Sequence, residues 1–369
     1  MRKRTLIALV ATISGAVGMA LIVGRGTGND ATPDEKPSRS DTTTGVTGTI
    51  WVANEAGDSL SVIDASRNVV VTTITGLTMP HNVQASPDGK SVWAVGGSAA
   101  VVIDARGLRL HGVVPTGKQL AHVVLSPDGR RSYITSGGDN TVAVIDVPTM
   151  KAVATVGVGP GPHGLRVSPD GKWVYLANLK GTSLSVIDTT TLRTVADIEV
   201  GRSPAQVAFA PNGRFLYASL NGEDAVVKVD VAERRLVDKV EVGIGPIQTY
   251  VSPDGRYLLV ANQGSPKHPS TTVSIIATAT FKVRQTVETG KGAHGVVIDP
   301  SSRFAYITNF YGNDVAVLDL RAKKIIAHIP VGSEPNGISF SPLAISSDPP
   351  ATIKLPLSEV EDGGMSGME

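Results

Sequence analysis

The sequence predicts an all-β fold: a seven-bladed β-propeller closed by a C-terminal first strand that joins the N-terminal blade. Three observations predict it. A Ser-Pro-Asp-Gly turn recurs near every 42 residues, each interval holds four short β-branched or aromatic runs, and the series starts on a second strand but ends on a first.

The turns come first. Ser-Pro-Asp-Gly stands at 86–89, 126–129, 168–171 and 252–255, with Ala-Pro-Asn-Gly at 210–213 and weaker copies at Asp299-Pro300 and Ser341-Pro342. The prolines at 87, 127, 169, 211, 253, 300 and 342 are spaced by 40, 42, 42, 42, 47 and 42 residues. Proline presets φ at the second turn position and glycine takes the geometry that follows. Looking for such self-similarity before anything else decides the fold.

The strands follow from the turns. Six residues after each of the first six prolines come Trp93, Tyr133, Tyr175, Tyr217, Leu259 and Tyr306, each opening a short alternating run. A second run ends in Val-Ile-Asp or a variant at 62–64, 102–104, 144–146, 186–188, 228–230 and 317–319; Ile275-Ile276-Ala277 is the copy without the aspartate. A third run precedes Gly-x-x-Pro, and a fourth leads back to the turn. Four short strands per repeat of this length is the period of a propeller blade. Thr49 to Pro342 is 294 residues, seven times 42. The final run, Gly337-Ile338-Ser339-Phe340, is placed to complete the blade opened by Ile50-Trp51-Val52-Ala53-Asn54, which removes the open edge of the array.

These residues carry a resemblance. Trp51–Asn54, Tyr133–Ser136, Tyr175–Asn178, Leu259–Asn262 and Tyr306–Asn309 look like the motif of YVTN-family β-propeller repeats, and the Ser-Pro-Asp-Gly turns and Val-Ile-Asp strands match as well. The resemblance covers about 49–342 and implies a seven-bladed propeller of the exported bacterial type, similar to surface-layer proteins. Related propellers include lactonases, the haem-d1 domain of nitrite reductase and the propeller of nitrous-oxide reductase. A shared fold does not fix activity.

Composition narrows the chemistry. The chain has no cysteine, which excludes disulfides, thiolate metal sites, iron–sulfur clusters and cysteine nucleophiles. Lys and Arg number 34 against 33 Asp and Glu, a formal charge of +1, so no electrostatic case exists for nucleic acid. The 40 glycines and 23 prolines mark turns, not a collagen period.

The ends differ from the middle. Residues 1–24 hold Met1-Arg2-Lys3-Arg4 and then an apolar run from Leu6 to Gly24, the pattern of a signal anchor or a signal peptide. The basic start stays cytoplasmic and the rest faces outward, membrane-anchored or, after cleavage, secreted. Residues 25–47 read as a flexible linker, 48–342 as the propeller and 343–369 as an acidic, disordered tail.

Alternating strand direction sets which residues share a rim. The start of every first strand circles one mouth of the central channel, and there stand His81, His122, His163, Gln206, Gln248, His294 and Asn336, one imidazole or amide per blade. Imidazoles ligate metals and titrate near neutrality, and amides hydrogen-bond polar ligands. Filling of the funnel is the competing explanation at even weight. The same rim holds two departures from the repeat: the 262–272 loop with Lys267 and His268, and the exposed pair Phe310 and Tyr311. The Val-Ile-Asp aspartates fall on the opposite rim, where capping of turns accounts for them. Val156–Gly161 is glycine-rich but leads to no helix, and no Gly-x-Ser-x-Gly or His-Glu-x-x-His is present.

The function expected is that of a monomeric, non-catalytic, exported binding scaffold. Its partner would be a protein, glycan or small ligand at the channel mouth. No cofactor is firmly implied. The alternatives are a copper- or haem-associated accessory using His81, His122, His163 and His294, and a lactonase-like hydrolase, which the lack of acidic residues in the channel window counts against.

Overall fold

A computed structural model describes residues 43–345 and 349–357. The segment expected to act as anchor, 1–24, lies outside the described residues. Among those described, no helix is long and apolar enough to cross a membrane, and helix is limited to one 3-10 turn, Asn221–Glu223.

The described residues form seven sheets, numbered here as blades from the N-terminal one. The inner strands of blades 2 to 7 are Asn82–Ala85, Leu120–Leu125, Pro162–Val167, Pro204–Phe209, Pro246–Val251 and Ala293–Ile298. Three further strands follow outward in chain order, each antiparallel to the last. In blade 1 the inner strand is Pro335–Ser341, paired antiparallel with Thr49–Asn54 so that Ile50 faces Phe340 and Val52 faces Ile338. Each inner strand lies against that of the next blade, and blade 7 lies against blade 1.

The repeat residues explain themselves in this frame. In the Ser-Pro-Asp-Gly turn at 168–171, Ser168 Oγ donates to Asp170 Oδ1 at 2.6 Å, and the Gly171 amide donates to Ser168 O at 2.8 Å with φ at +75°. The six Val-Ile-Asp aspartates accept backbone amides two or three residues on, as Asp188 does from Thr190 and Thr191. Capping therefore accounts for them. The aromatics that open the second strands are fully buried between blades. Tyr175 Oη donates to Val231 O of blade 5, and Tyr306 Oη to Ala65 O of blade 1, so the blade 7–blade 1 seam is built like an internal one. Asn178 Nδ2 binds Ser183 Oγ and Ser185 Oγ of the adjacent strand. Gly159 passes directly over it; a Cβ there would meet Asn178 Nδ2 at 2.3 Å, so only glycine fits.

Three boundaries differ from the sequence expectation. Residues 43–47, read as linker, pack on the propeller: Val46 is buried in the blade 7–blade 1 core and Thr44 Oγ1 donates to Ala65 O at 2.5 Å. Residues 349–357, read as disordered tail, carry a strand, Thr352–Lys354, that pairs in parallel with Val69–Thr75 on the outer edge of blade 1. Leu355 beside it is buried in the core shared by blades 1 and 2. Apolar burial outweighs local composition in both places. The rest of the tail, 358–369, lies outside the described residues. Third, the extra residues at 262–272 are not an irregular loop. They lengthen two strands, Tyr257–Gly264 and Pro269–Ala277, into a hairpin closed by reciprocal Ser265–His268 backbone bonds.

Candidate functional site at the channel mouth

The inner strands bulge where they reach the mouth. In blade 4 the register jumps from Pro162↔Asn178 to Leu165↔Leu176, leaving His163 and Gly164 unpaired; blades 3, 6 and 7 break at His122, Gln248 and His294. A bulge re-aims its side chains, here into the channel. The hydroxyl at the third motif position repairs the backbone. Thr308 Oγ1 accepts the Gly295 amide and donates to Asn336 O of the next blade, and Thr135 does the same between His122 and His163.

Four of the seven predicted mouth residues meet as one histidine cluster. The His81 ring centroid lies 5.8 Å from that of His122, 5.4 Å from His163 and 6.5 Å from His294, while His122 and His163 are 4.7 Å apart. Asn336 joins them through Nδ2, 3.0 Å from His81 Nδ1. Gln206 and Gln248 stand at the mouth, but neither hydrogen-bonds a histidine. Gln206 Oε1 accepts the Val207 amide, and the Nε2 atoms of both are buried without a partner.

One member was missed. Glu55, from the hairpin after Thr49–Asn54, brings a carboxylate into the mouth, with Oε2 3.2 Å from His81 Nδ1 and 2.6 Å from Asn336 Nδ2. Burial works to raise its pKa, but the His81 hydrogen bond and charge, with the Asn336 donor, outweigh it and hold it below the ordinary carboxylate value. The acidic residue absent from the inner strands thus arrives from a neighbouring loop. The signal was its position four residues after Trp51, the position that Phe310 holds after Tyr306.

The rim loops divide. Phe310, expected to be exposed, is half-buried and tilts against His294 at 5.8 Å between centroids; Tyr311 stacks edge-on against it at 5.2 Å. Lys267 and His268 are exposed on the tip of the long hairpin and share no hydrogen bond or ring contact with the cluster.

Burial favours the neutral form of three of the imidazoles, His122, His163 and His294. Burial, then the facing His81, pulls His163 down to about 4. Burial and the same neighbours pull His294 to about 3, and burial sets His122 well below the usual range. The hydrogen bonds fix a tautomer. His163 Nδ1 lies 2.8 Å from Ala205 O, a pure acceptor, so it carries the proton and Nε2 keeps a lone pair. That lone pair faces His81 Nε2 at 3.3 Å. Both ring nitrogens of His122 are buried without a partner. One ligand atom from each of His81, His122 and His163 falls within 4.8 Å of the others. An ion bound tetrahedrally at 2.0–2.1 Å sets its nitrogen ligands about 3.3 Å apart, the His81–His163 separation.

The YNCE-like beta-propeller family matches residues 98–344. No curated protein matches the chain. Among solved structures, hydrazine synthase of Kuenenia stuttgartiensis is similar at 24% identity and TM-score 0.65, over 71% of this chain and 90% of that one. A functionally unknown protein from Desulfotomaculum acetoxidans gives 14% and 0.69, over 80% and 99%. The dihydro-heme d1 dehydrogenase NirN, solved in complex with DHE, gives 14% and 0.61, over 82% and 77%. At these identities the likenesses establish the fold.

Proposed function

We propose, for a chain that belongs to the YNCE-like β-propeller family, the role of an exported, membrane-tethered and non-catalytic propeller that binds a first-row transition-metal ion at its channel mouth. The 3.3 Å separation of His81 Nε2 and His163 Nε2 carries the reading. His163 turns its protonated nitrogen to Ala205 O and its lone pair inward. With an ion bound, His81 would turn Nδ1–H to Glu55 and Nε2 inward, the carboxylate–histidine–metal arrangement that orients a ligand and raises its basicity. His122 supplies a third imidazole whose unpartnered nitrogens would otherwise cost desolvation with no return. Neutral imidazoles without thiolates suit Cu²⁺ and Zn²⁺, and the order of divalent affinities favours Cu²⁺. Three ligands leave a coordination position open. The tether is supported by the basic start and apolar run of residues 1–24.

Isothermal titration of the chelator-stripped full chain with Cu²⁺ and Zn²⁺ tests this. One ion per chain is expected, with affinity reduced at least about 100-fold in His163→Ala. A chain that takes up neither ion, or a variant that binds as tightly, overturns the metal reading.

A further inference from the structure

The opposite end of the channel, ringed by the Ser-Pro-Asp-Gly turns, opens into a cavity of about 510 Å³ that the histidine site does not use. Six blades place a residue there from three positions before the turn proline; Val124, Val297 and Ser339 are the apolar or small ones, Gln84 is an amide, and the blade 5 counterpart, Ala208, does not line the cavity. Blade 4 supplies Arg166 and blade 6 supplies Tyr250.

Arg166 is the anomaly. A guanidinium carries five donors, yet among the described residues its one hydrogen bond runs from NH1 to Leu165 O at 2.9 Å. No Asp or Glu of the described residues forms an ion pair with it. Burial pulls its pKa down, and the Tyr250 phenol opposes this. Burial in turn raises Tyr250, so that phenol remains a neutral O–H at physiological pH and supplies no counter-charge. Arg166 is half-buried on the cavity wall, and a cation held there without a carboxylate partner is less costly when something anionic compensates it. The same cavity is lined by Gln84 and Ser339, and Gln84 Nε2 donates to Ser339 Oγ at 3.3 Å, which holds the Gln84 amide in place. The other walls are apolar, including Val297 and Phe340.

We propose that this turn-side cavity binds a small organic monocarboxylate, with Arg166 taking the carboxylate through its free guanidinium donors. The volume lies within the range of small-molecule sites, which are mostly apolar with a few placed polar groups. A planar fork of donors matches a carboxylate in bidentate fashion. One cation balances one negative charge. A phosphate dianion would leave a second charge uncompensated against apolar walls. The apolar body of the ligand would lie on Val297 and Phe340, and the Tyr250 hydroxyl would add a donor. The site opens toward the other end of the channel from the histidine cluster, with Arg166 near enough to His122 for its charge to help lower that imidazole, and its test needs no metal.

Isothermal titration of the full chain uses benzoate and hexanoate as probes and inorganic phosphate as the contrast. One benzoate per chain is expected, weakened about tenfold or more in Arg166→Gln and about two- to fivefold in Tyr250→Phe. Should Arg166→Gln lose its fold by circular dichroism, Arg166→Lys replaces it; that variant keeps the charge, loses the fork and is expected to bind several-fold more weakly. The proposal is overturned if neither carboxylate saturates at millimolar concentration, if phosphate binds more tightly than both, or if the folded Arg166 variant binds benzoate as well as the unmodified chain does.

Discussion

On the turn rim, Asp319 accepts the Arg321 and Ala322 amides, each at 2.8 Å, and the Arg303 guanidinium stands over its other oxygen. At the channel mouth, His122 is equally enclosed and both its ring nitrogens lack a partner. The two places share one repeat and one fold, and they handle buried polarity in opposite ways. Frame residues recur from blade to blade, and the turn aspartates are satisfied within a few residues of chain, although the motif asparagines Asn54, Asn178, Asn262 and Asn309 each leave Oδ1 without a partner among the described residues. Axis residues change from blade to blade: His, His, His, Gln, Gln, His and Asn around the mouth, and Gln, Arg or Tyr among small and apolar residues at the far end. Unmade hydrogen bonds are expensive; on the axis they fall on ring nitrogens and amide donors that change from blade to blade, as in His122, Gln206 and Gln248, and these mark where the chain can meet something other than itself.

The largest effect that would test this contrast is on stability against pH. His163 is held at about 4 in the folded chain against an ordinary value of 6.5. Between those values the unfolded chain binds the proton and the folded chain does not, so stability is full above pH 6.5 and falls as pH drops toward 4. For the chelator-stripped chain the loss attributable to this group is on the order of 3 kcal/mol. Urea titrations from pH 7 to pH 4 should show it, and His163→Gln should flatten the slope; equal slopes would place the destabilisation elsewhere. A smaller effect separates metal holding from packing. Glu55→Gln keeps the Asn336 contact but weakens the orienting of His81, and Cu²⁺ affinity should drop about 10- to 100-fold, with little change in urea midpoint. Equal affinity in a competition assay would remove Glu55 from the site. The smallest concerns the frame alone. Asp319→Ala frees two amides and should cost about 1–2 kcal/mol, leaving metal affinity unchanged. A shift in affinity there would mean that frame and axis are coupled.

Repetition made the frame readable. Seven prolines in step, six aromatics and six aspartates specify blade number, strand order and the rim on which each residue falls. The histidine cluster was legible for the same reason, as a repeat position with unusual occupants. What escaped lies outside that periodicity. Glu55 occurs once in seven copies at its position, and its role depends on a loop side chain bending toward His81. Arg166 sits in an ordinary alternating strand, and nothing in Leu165-Arg166-Val167 tells channel from blade interior. The strand Thr352–Lys354 is too short to show alternation; its place comes from Leu355 finding a core formed by residues almost 300 positions earlier.

The pairing of Pro335–Ser341 with Thr49–Asn54 also sets an order of events. Among the described strands Thr49–Asn54 is made first, and the partner on its inner side comes 286 residues later. At roughly 5–20 residues per second that is a wait of about 15 to 60 s. Through that interval six later blades can assemble on one another, while the inner edge of the first stays open to any passing strand. The strand Pro335–Ser341 therefore acts as a latch on a finished ring, and the interval before it arrives is when this chain most needs protection from its neighbours.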